Sequence, residues 1–212
     1  MTAGQALAPG AALPPRAAPD DQPAGSTQGV GLWVFMGVAT TLFTLFIVAY
    51  VMRMSERDAI TLALPWQLWL SSAWLLAGSL LLQGAASRPA ADSAAARRLL
   101  LAGGGCALAF IATQWWAWEA LLGRQVSVHG NPAGSFFFLL TAMHVLHVAG
   151  GLAGWVVALR KLGAATATAA ANHWRIALCA RYWHFLFAVW LLLLATMRFI
   201  TPELAALICG SR

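Results

Sequence analysis

The sequence predicts an all-α, polytopic membrane protein, a bundle of five transmembrane helices with the N-terminus cytoplasmic and the C-terminus periplasmic. Three observations predict this fold. The 212-residue chain is 60% hydrophobic and only 9% charged, far from the composition of a soluble globular domain. Five apolar stretches reach the roughly 20 residues that a helix needs to cross a bilayer. Lys and Arg residues are distributed unevenly between the loops on the two sides.

These five stretches occupy most of the chain and leave no room for a separate soluble domain. They predict spans at about 32–52, 66–84, 99–122, 136–159 and 176–200, within a transmembrane domain of residues 30–203. Residues 1–29 are rich in Ala, Pro and Gly and are predicted to form a disordered tail, because this composition cannot bury a core. Residues 204–212 are predicted to be a short C-terminal tail.

The first two spans carry polar and aromatic residues at informative positions. Thr40, Thr41 and Thr44 lie within about one turn of each other in the first span and favour a helix–helix contact over lipid. Pro65 stands where the second helix would start, a position that tolerates proline. Trp66 follows it and is predicted to anchor the helix at the membrane interface.

The third span contains three consecutive glycines, 103–105, which would let a neighbouring helix approach closely. It ends among tryptophans and contains Glu119, the only carboxylate within a predicted span. Since Glu119 is near the span's end, we expect it to face water or to pair with Arg124. A turn at Gly130–Asn131–Pro132 then leads into the fourth span, which Arg160 and Lys161 end.

The charged residues fix the predicted orientation. Eight of the 13 Lys and Arg residues lie on the side of the N-terminus and the second and fourth loops. The positive-inside rule therefore places this side in the cytoplasm. The net charge of +6 is explained by membrane topology, and no nucleic-acid partner is predicted.

Three histidines fall inside apolar spans: His144, His147 and His184. Because residues at i and i+3 share a helix face, His144 and His147 are neighbours. One hypothesis is a haem held between the fourth and fifth spans. The other is that neutral imidazoles hydrogen-bond across helices or to lipid head groups. A second haem would need another histidine pair, and only His129 and His173 remain, both at loop or boundary positions.

Metal and thiolate sites have little support in the sequence. A zinc or copper site needs three or four convergent ligands, which the spans do not supply. The three cysteines are far apart and form no CxxC pair. Gly150 and Gly154 form a GxxxG motif, which predicts that one face of the fourth helix packs closely against protein.

The fourth span carries the first part of a family resemblance. The pattern Thr141-x-x-His144-x-x-His147-x-x-Gly150-Gly151 resembles the "THGLHV" segment of haem–copper oxidase subunit III.

The fifth span carries the second part. Tyr182-Trp183-His184-Phe185, followed by Trp190, is similar to the "YWHF…W" signature in the last helix of that family. Further matches in the same order extend the resemblance over about residues 32–200. They are Trp33-x-Phe35, Ala49-Tyr50, Gln114 followed by tryptophans, Asn131-Pro132 and Ser135-Phe136-Phe137.

Departures from the family pattern make this a divergent member. The family usually carries a Ser-Glu pair in this first helix, where Val38 and Ala39 stand here. Phe187 occupies the place of an Asp that often follows the last-helix histidine. These replacements argue against an acidic proton relay carried by the usual buried Glu.

The resemblance implies a non-catalytic subunit III of a bacterial terminal oxidase in the cytoplasmic (inner) membrane. Such a subunit binds neither haem nor copper, packs beside subunit I, which carries those groups, belongs to a complex with subunit II, and holds lipids in a cleft. It helps to sustain turnover and proton uptake in the oxygen-reducing, proton-pumping complex. The implied lipid or subunit-interface residues are Glu119, His144, His147, Gly150, Gly154, His173, Arg175, Trp183, His184 and Trp190.

Two other interpretations remain open from the sequence. The missing acidic residues also fit the related accessory subunit of a nitric oxide reductase. The buried histidines alone would fit a membrane anchor that binds haem or quinol.

Overall fold

The structure of the chain is a computed structural model, which describes residues 27–56, 63–89, 92–124, 132–162 and 168–210. This part of the chain contains six helices. The helices are α1 (Thr27–Met54), α2 (Gln67–Ala86), α3 (Ser93–Leu122), α4 (Pro132–Leu162), α5 (Ala169–Phe199) and α6 (Pro202–Cys209). Within those ranges there is no strand. The first five helices are each long and apolar enough to cross a membrane, which confirms the predicted five-helix fold class.

The helices extend beyond the apolar segments that predicted them. α5 begins at Ala169 rather than near residue 176, because Thr168 accepts a hydrogen bond from the Ala171 amide (3.2 Å) and alanines favour the helix that follows. A helix of 31 residues is roughly 46 Å long, so its ends project beyond a hydrocarbon core about 30 Å thick.

Helices extend into both of the predicted tails. Residues 27–29 already belong to α1, and residues 204–209 lie in α6. The C-terminal helix forms because the Thr201 hydroxyl accepts a hydrogen bond from the Leu204 amide (3.3 Å) and Pro202 occupies the first turn. The first 26 residues and the predicted turn through Asn131 lie outside the described residues.

Helix α5 organises the bundle. It packs against α1, α2 and α4, while α3 packs against α2 and α4. Its two large tryptophans, Trp183 and Trp190, are essentially fully buried and form the centre of the main hydrophobic cluster. α5 and α4 thus each pack against three other spans.

Close helix contacts occur at glycines. The Trp155 indole lies on Gly104, where a Cβ atom would overlap the ring, and its Nε1 donates to the Leu100 carbonyl (2.7 Å). This contact joins α4 to α3 and agrees with the close approach expected from the glycine run. A Cβ at Gly151 would lie 2.9 Å from ring carbons of both Tyr182 and Trp183, so α4 and α5 are also in close contact.

Candidate functional site

His144 lies in the centre of the helix bundle. Its side chain is 0% exposed and is surrounded by the rings of Phe43, Phe110 and Trp190, with centroid separations of 6.1, 5.7 and 5.2 Å. These rings belong to α1, α3 and α5, so His144 contacts every neighbour of α4 among the spans. Since the chain's own helices enclose it, packing is the role that its position supports.

His147 lies one turn further along α4 and is only partly buried. Its Nδ1 donates to the Met143 carbonyl (2.7 Å), since a carbonyl oxygen can only accept. The ring contacts Phe43 at a centroid distance of 5.0 Å, and the His147 carbonyl accepts a hydrogen bond from the Tyr182 hydroxyl (3.1 Å). His147 therefore joins α4 to α1 and α5.

His184 faces out from α5 toward α2. Its Nε2 donates to Oε1 of Gln83 (3.0 Å), and its Nδ1 accepts from the Ser79 hydroxyl. Both imidazole nitrogens are thus engaged with α2, rather than directed toward His144. No group of three or more His, Cys, Asp or Glu side chains in the described ranges could hold a metal ion.

The two tryptophans of the last-span motif are packed inside the bundle. Trp190 donates from Nε1 to the Ser72 hydroxyl (2.8 Å) and meets the Phe110 ring edge-on at 5.3 Å. Trp183 fills the space left by Gly151. Together with His184, these residues bind α5 to α2 and α4, so Trp183 and Trp190 have packing roles and do not reach the outer surface.

Gln114 and Thr141 complete the polar set within the core. The Gln114 amide is fully buried one turn beyond Phe110, and it has no hydrogen-bond partner among the described residues. Thr141 donates to the Phe137 carbonyl (2.6 Å) and accepts from Nε1 of Trp118 (3.0 Å), which joins α3 to α4. Only the motif spacing had singled out these two residues.

The GxxxG motif lies in an open groove. A Cβ at Gly150 or Gly154 would meet no atom within 4 Å, so the motif makes no close helix contact within the described chain. The cavity beside it, of about 400 Å³, lies between α1, α4 and α5. We call it the glycine groove. Its lining includes Leu32, Phe35, Gly150, Gly154, Arg175 and Cys179.

The remaining predicted site residues lie near the surface. Glu119 is exposed, and its carboxylate accepts a hydrogen bond from Nε1 of Trp115 (2.7 Å), a partner other than the expected Arg124. His173 is exposed near the start of α5 and lines a shallow cleft with Arg88 and Asn172. Neither residue joins the central histidine cluster.

The fold and these contacts define a class of protein: a multi-pass membrane protein whose conspicuous polar residues mostly hold its own helices together. The family profile described as "Cytochrome c oxidase subunit III" matches residues 93–201, slightly over half of the chain. The chain therefore belongs to the cytochrome c oxidase subunit III family.

Individual relatives agree with this family. The chain is 33% identical over 93 residues to a "Probable cytochrome c oxidase subunit 3" of Mycobacterium tuberculosis, covering 44% of this chain and 45% of that protein. A protein of the same name from Nocardia farcinica is 35% identical over 96 residues, covering 43% and 44%. The "Cytochrome c oxidase subunit 3" of Corynebacterium diphtheriae is 31% identical over 91 residues, again covering 43% and 44%. The matched segment thus spans somewhat less than half the length of these relatives.

Proposed function

We propose that this chain is a non-catalytic subunit III of a bacterial haem–copper terminal oxidase. In this proposal it packs directly against subunit I, in a complex that also contains subunit II, and sustains oxygen reduction and proton pumping by that complex. Its location is the bacterial cytoplasmic membrane, with the N-terminus in the cytoplasm. The observation that carries the proposal is the chain's membership of the subunit III family.

The engagement of the histidines supports a non-catalytic role. His184 uses both nitrogens in contacts to α2, and His147 uses Nδ1 in a contact within α4. His144 is enclosed by aromatic rings, two of which, Phe110 and Trp190, also contact each other. A haem between α4 and α5 would have to displace these rings. In this proposal, haem and copper belong to the partner subunits.

The glycine groove supports a role in lipid binding. Its walls are mainly apolar, and the absence of side chains at Gly150 and Gly154 leaves room for an acyl chain against α4. Arg175 lies near the start of α5, where its guanidinium can form paired hydrogen bonds with a lipid phosphate. We place a structural phospholipid here, between α1 and the α4–α5 pair.

A visible spectrum tests whether the chain itself carries a redox centre. The full chain, produced without its partners in haem-replete cells and purified in mild detergent, is expected to show no haem absorption. The intact complex is the positive control. A haem band in the isolated chain that disappears in His144→Leu or His184→Leu, but persists in the exposed control His173→Leu, would contradict the non-catalytic assignment.

A further inference from the structure

A second, larger cavity lies at the opposite end of the bundle from the glycine groove. It has a volume of about 710 Å³ and is enclosed by the end of α1, the start of α2, the end of α5 and Thr201 before α6. Its inner wall is formed by buried Met54 and Leu68, and its outer rim by exposed Trp69 and Phe199. We call it the Arg198 cavity.

This cavity lies at the level of a membrane surface rather than in the middle of the bilayer. Successive spans alternate in direction, so the end of α1, the start of α2 and the end of α5 reach the same side. Exposed Trp69 lines the cavity, and tryptophan favours the membrane–water interface. Arg175 and Arg198 are separated along α5 by roughly 35 Å at 1.5 Å per residue, which matches a hydrocarbon core about 30 Å thick. The two cavities therefore open at opposite membrane surfaces.

The charge of the residues that line this cavity indicates which class of ligand it would bind. Arg198 is the only charged residue among the described residues that line the cavity, and no carboxylate joins it there. Its guanidinium lies 6.0 Å from the centre of the Phe199 ring, at the rim. The remaining walls are mostly apolar. One cation beside an apolar recess complements an amphiphile with an anionic head and a hydrocarbon tail.

The size of the cavity argues against a partner helix as its occupant. A helix 10–12 Å across would fill 710 Å³ with only about one to two turns, too little for a helix that must cross the membrane. A flexible acyl chain can instead lie along α5 over Ala195 and Leu191, between α1 and α2. A neutral quinone could accept a hydrogen bond from Arg198 but would leave its positive charge uncompensated, whereas a phosphate group would neutralise it.

We propose that the Arg198 cavity binds one anionic phospholipid of the leaflet at the C-terminal end of α5, with its phosphate on Arg198 and an acyl chain against Leu191 and Ala195. This site is separate from the glycine groove and does not depend on the oxidase assignment. A lipid bound there would fill the cavity between the end of α1, the start of α2 and the end of α5, and would stabilise the packing of these three helices.

Native mass spectrometry of the full chain tests this proposal. The delipidated protein in mild detergent is titrated with dioleoylphosphatidylglycerol, and with zwitterionic dioleoylphosphatidylcholine as the comparison lipid. We expect two bound phosphatidylglycerol molecules per wild-type chain. Arg198→Gln should weaken one of them at least tenfold, while Arg124→Gln, at an exposed arginine near the same membrane surface, should bind both normally.

Two further variants keep the result interpretable. Arg175→Gln should weaken the other lipid, so failure of the glycine-groove assignment is distinguishable from failure of this proposal. Ala195→Leu should reduce uptake at the Arg198 cavity without removing any charge, and circular dichroism confirms that each variant is folded. Unchanged affinity in Arg198→Gln, or equal binding of both lipids at this site, would overturn the proposal.

Discussion

Trp190→Ala is expected to lower the free energy of unfolding by about 3–5 kcal/mol, the range for removing a large buried aromatic side chain. Trp190 is 1% exposed and lies against both Phe110 and His144, so its loss opens a cavity in the centre of the bundle. The substitution also leaves the Ser72 hydroxyl without its indole donor. In a membrane, where tight packing drives helix association, a cavity at a junction of four helices is particularly costly.

The matched control is Trp190→Phe, which keeps an aromatic ring and removes the hydrogen bond to Ser72. Interhelical hydrogen bonds in membranes contribute about 0.6 kcal/mol on average and up to about 1.7 kcal/mol, so this variant should lose much less stability. SDS titration in mixed micelles, followed by far-ultraviolet circular dichroism, measures both. Equal losses in the two variants would show that the hydrogen bond, and not the packing, holds this junction.

Gly104→Ala is expected to destabilise the chain by about 1–3 kcal/mol, the usual range for overpacking a filled site. The added methyl group would overlap the Trp155 ring. That ring cannot swing away freely, because its Nε1 donates to the Leu100 carbonyl at 2.7 Å. α4 must therefore move away from α3 or give up this hydrogen bond.

The adjacent residue provides the control for this prediction. A Cβ at Gly105 meets nothing within 4 Å, and alanine favours a helix over glycine by about 1 kcal/mol. Gly105→Ala should therefore be neutral or slightly stabilising in the same SDS titration. If the two substitutions had the same effect, the contact between Gly104 and Trp155 would not contribute to holding α3 against α4.

The membrane fold could be predicted from the sequence because the length of each apolar stretch is enough to indicate a membrane-spanning helix. The ends of the helices could not, since they depend on capping and on helix propensity outside the hydrocarbon. Thr201 and Pro202 directly follow the predicted fifth span, and these two residues begin α6. Likewise, the alanines after Thr168 extend α5 by two turns beyond its predicted start.

Which face of each helix meets protein was harder to predict. The threonines of α1 suggested a helix contact, but Thr41 and Thr44 are exposed and donate to carbonyls four residues earlier in their own helix. A hydroxyl that donates its hydrogen bond within its own helix needs no further partner and can face lipid. Gly150 and Gly154 likewise suggested close packing, whereas Gly151 between them makes the close contact. Small residues permit an approach, but the large side chain that fills the space is on another helix.

The central proposal is that this chain works beside the catalytic subunit of a haem–copper oxidase and holds no redox centre itself. Gentle purification of the native complex through a tag on this chain, followed by mass identification of the co-purifying subunits and a visible spectrum, tests it most directly. We expect oxidase subunits I and II in stoichiometric amounts, and haem absorption that follows subunit I when the complex is dissociated. Co-purification with nitric oxide reductase subunits instead, or haem that remains with this chain after dissociation, would contradict the proposal.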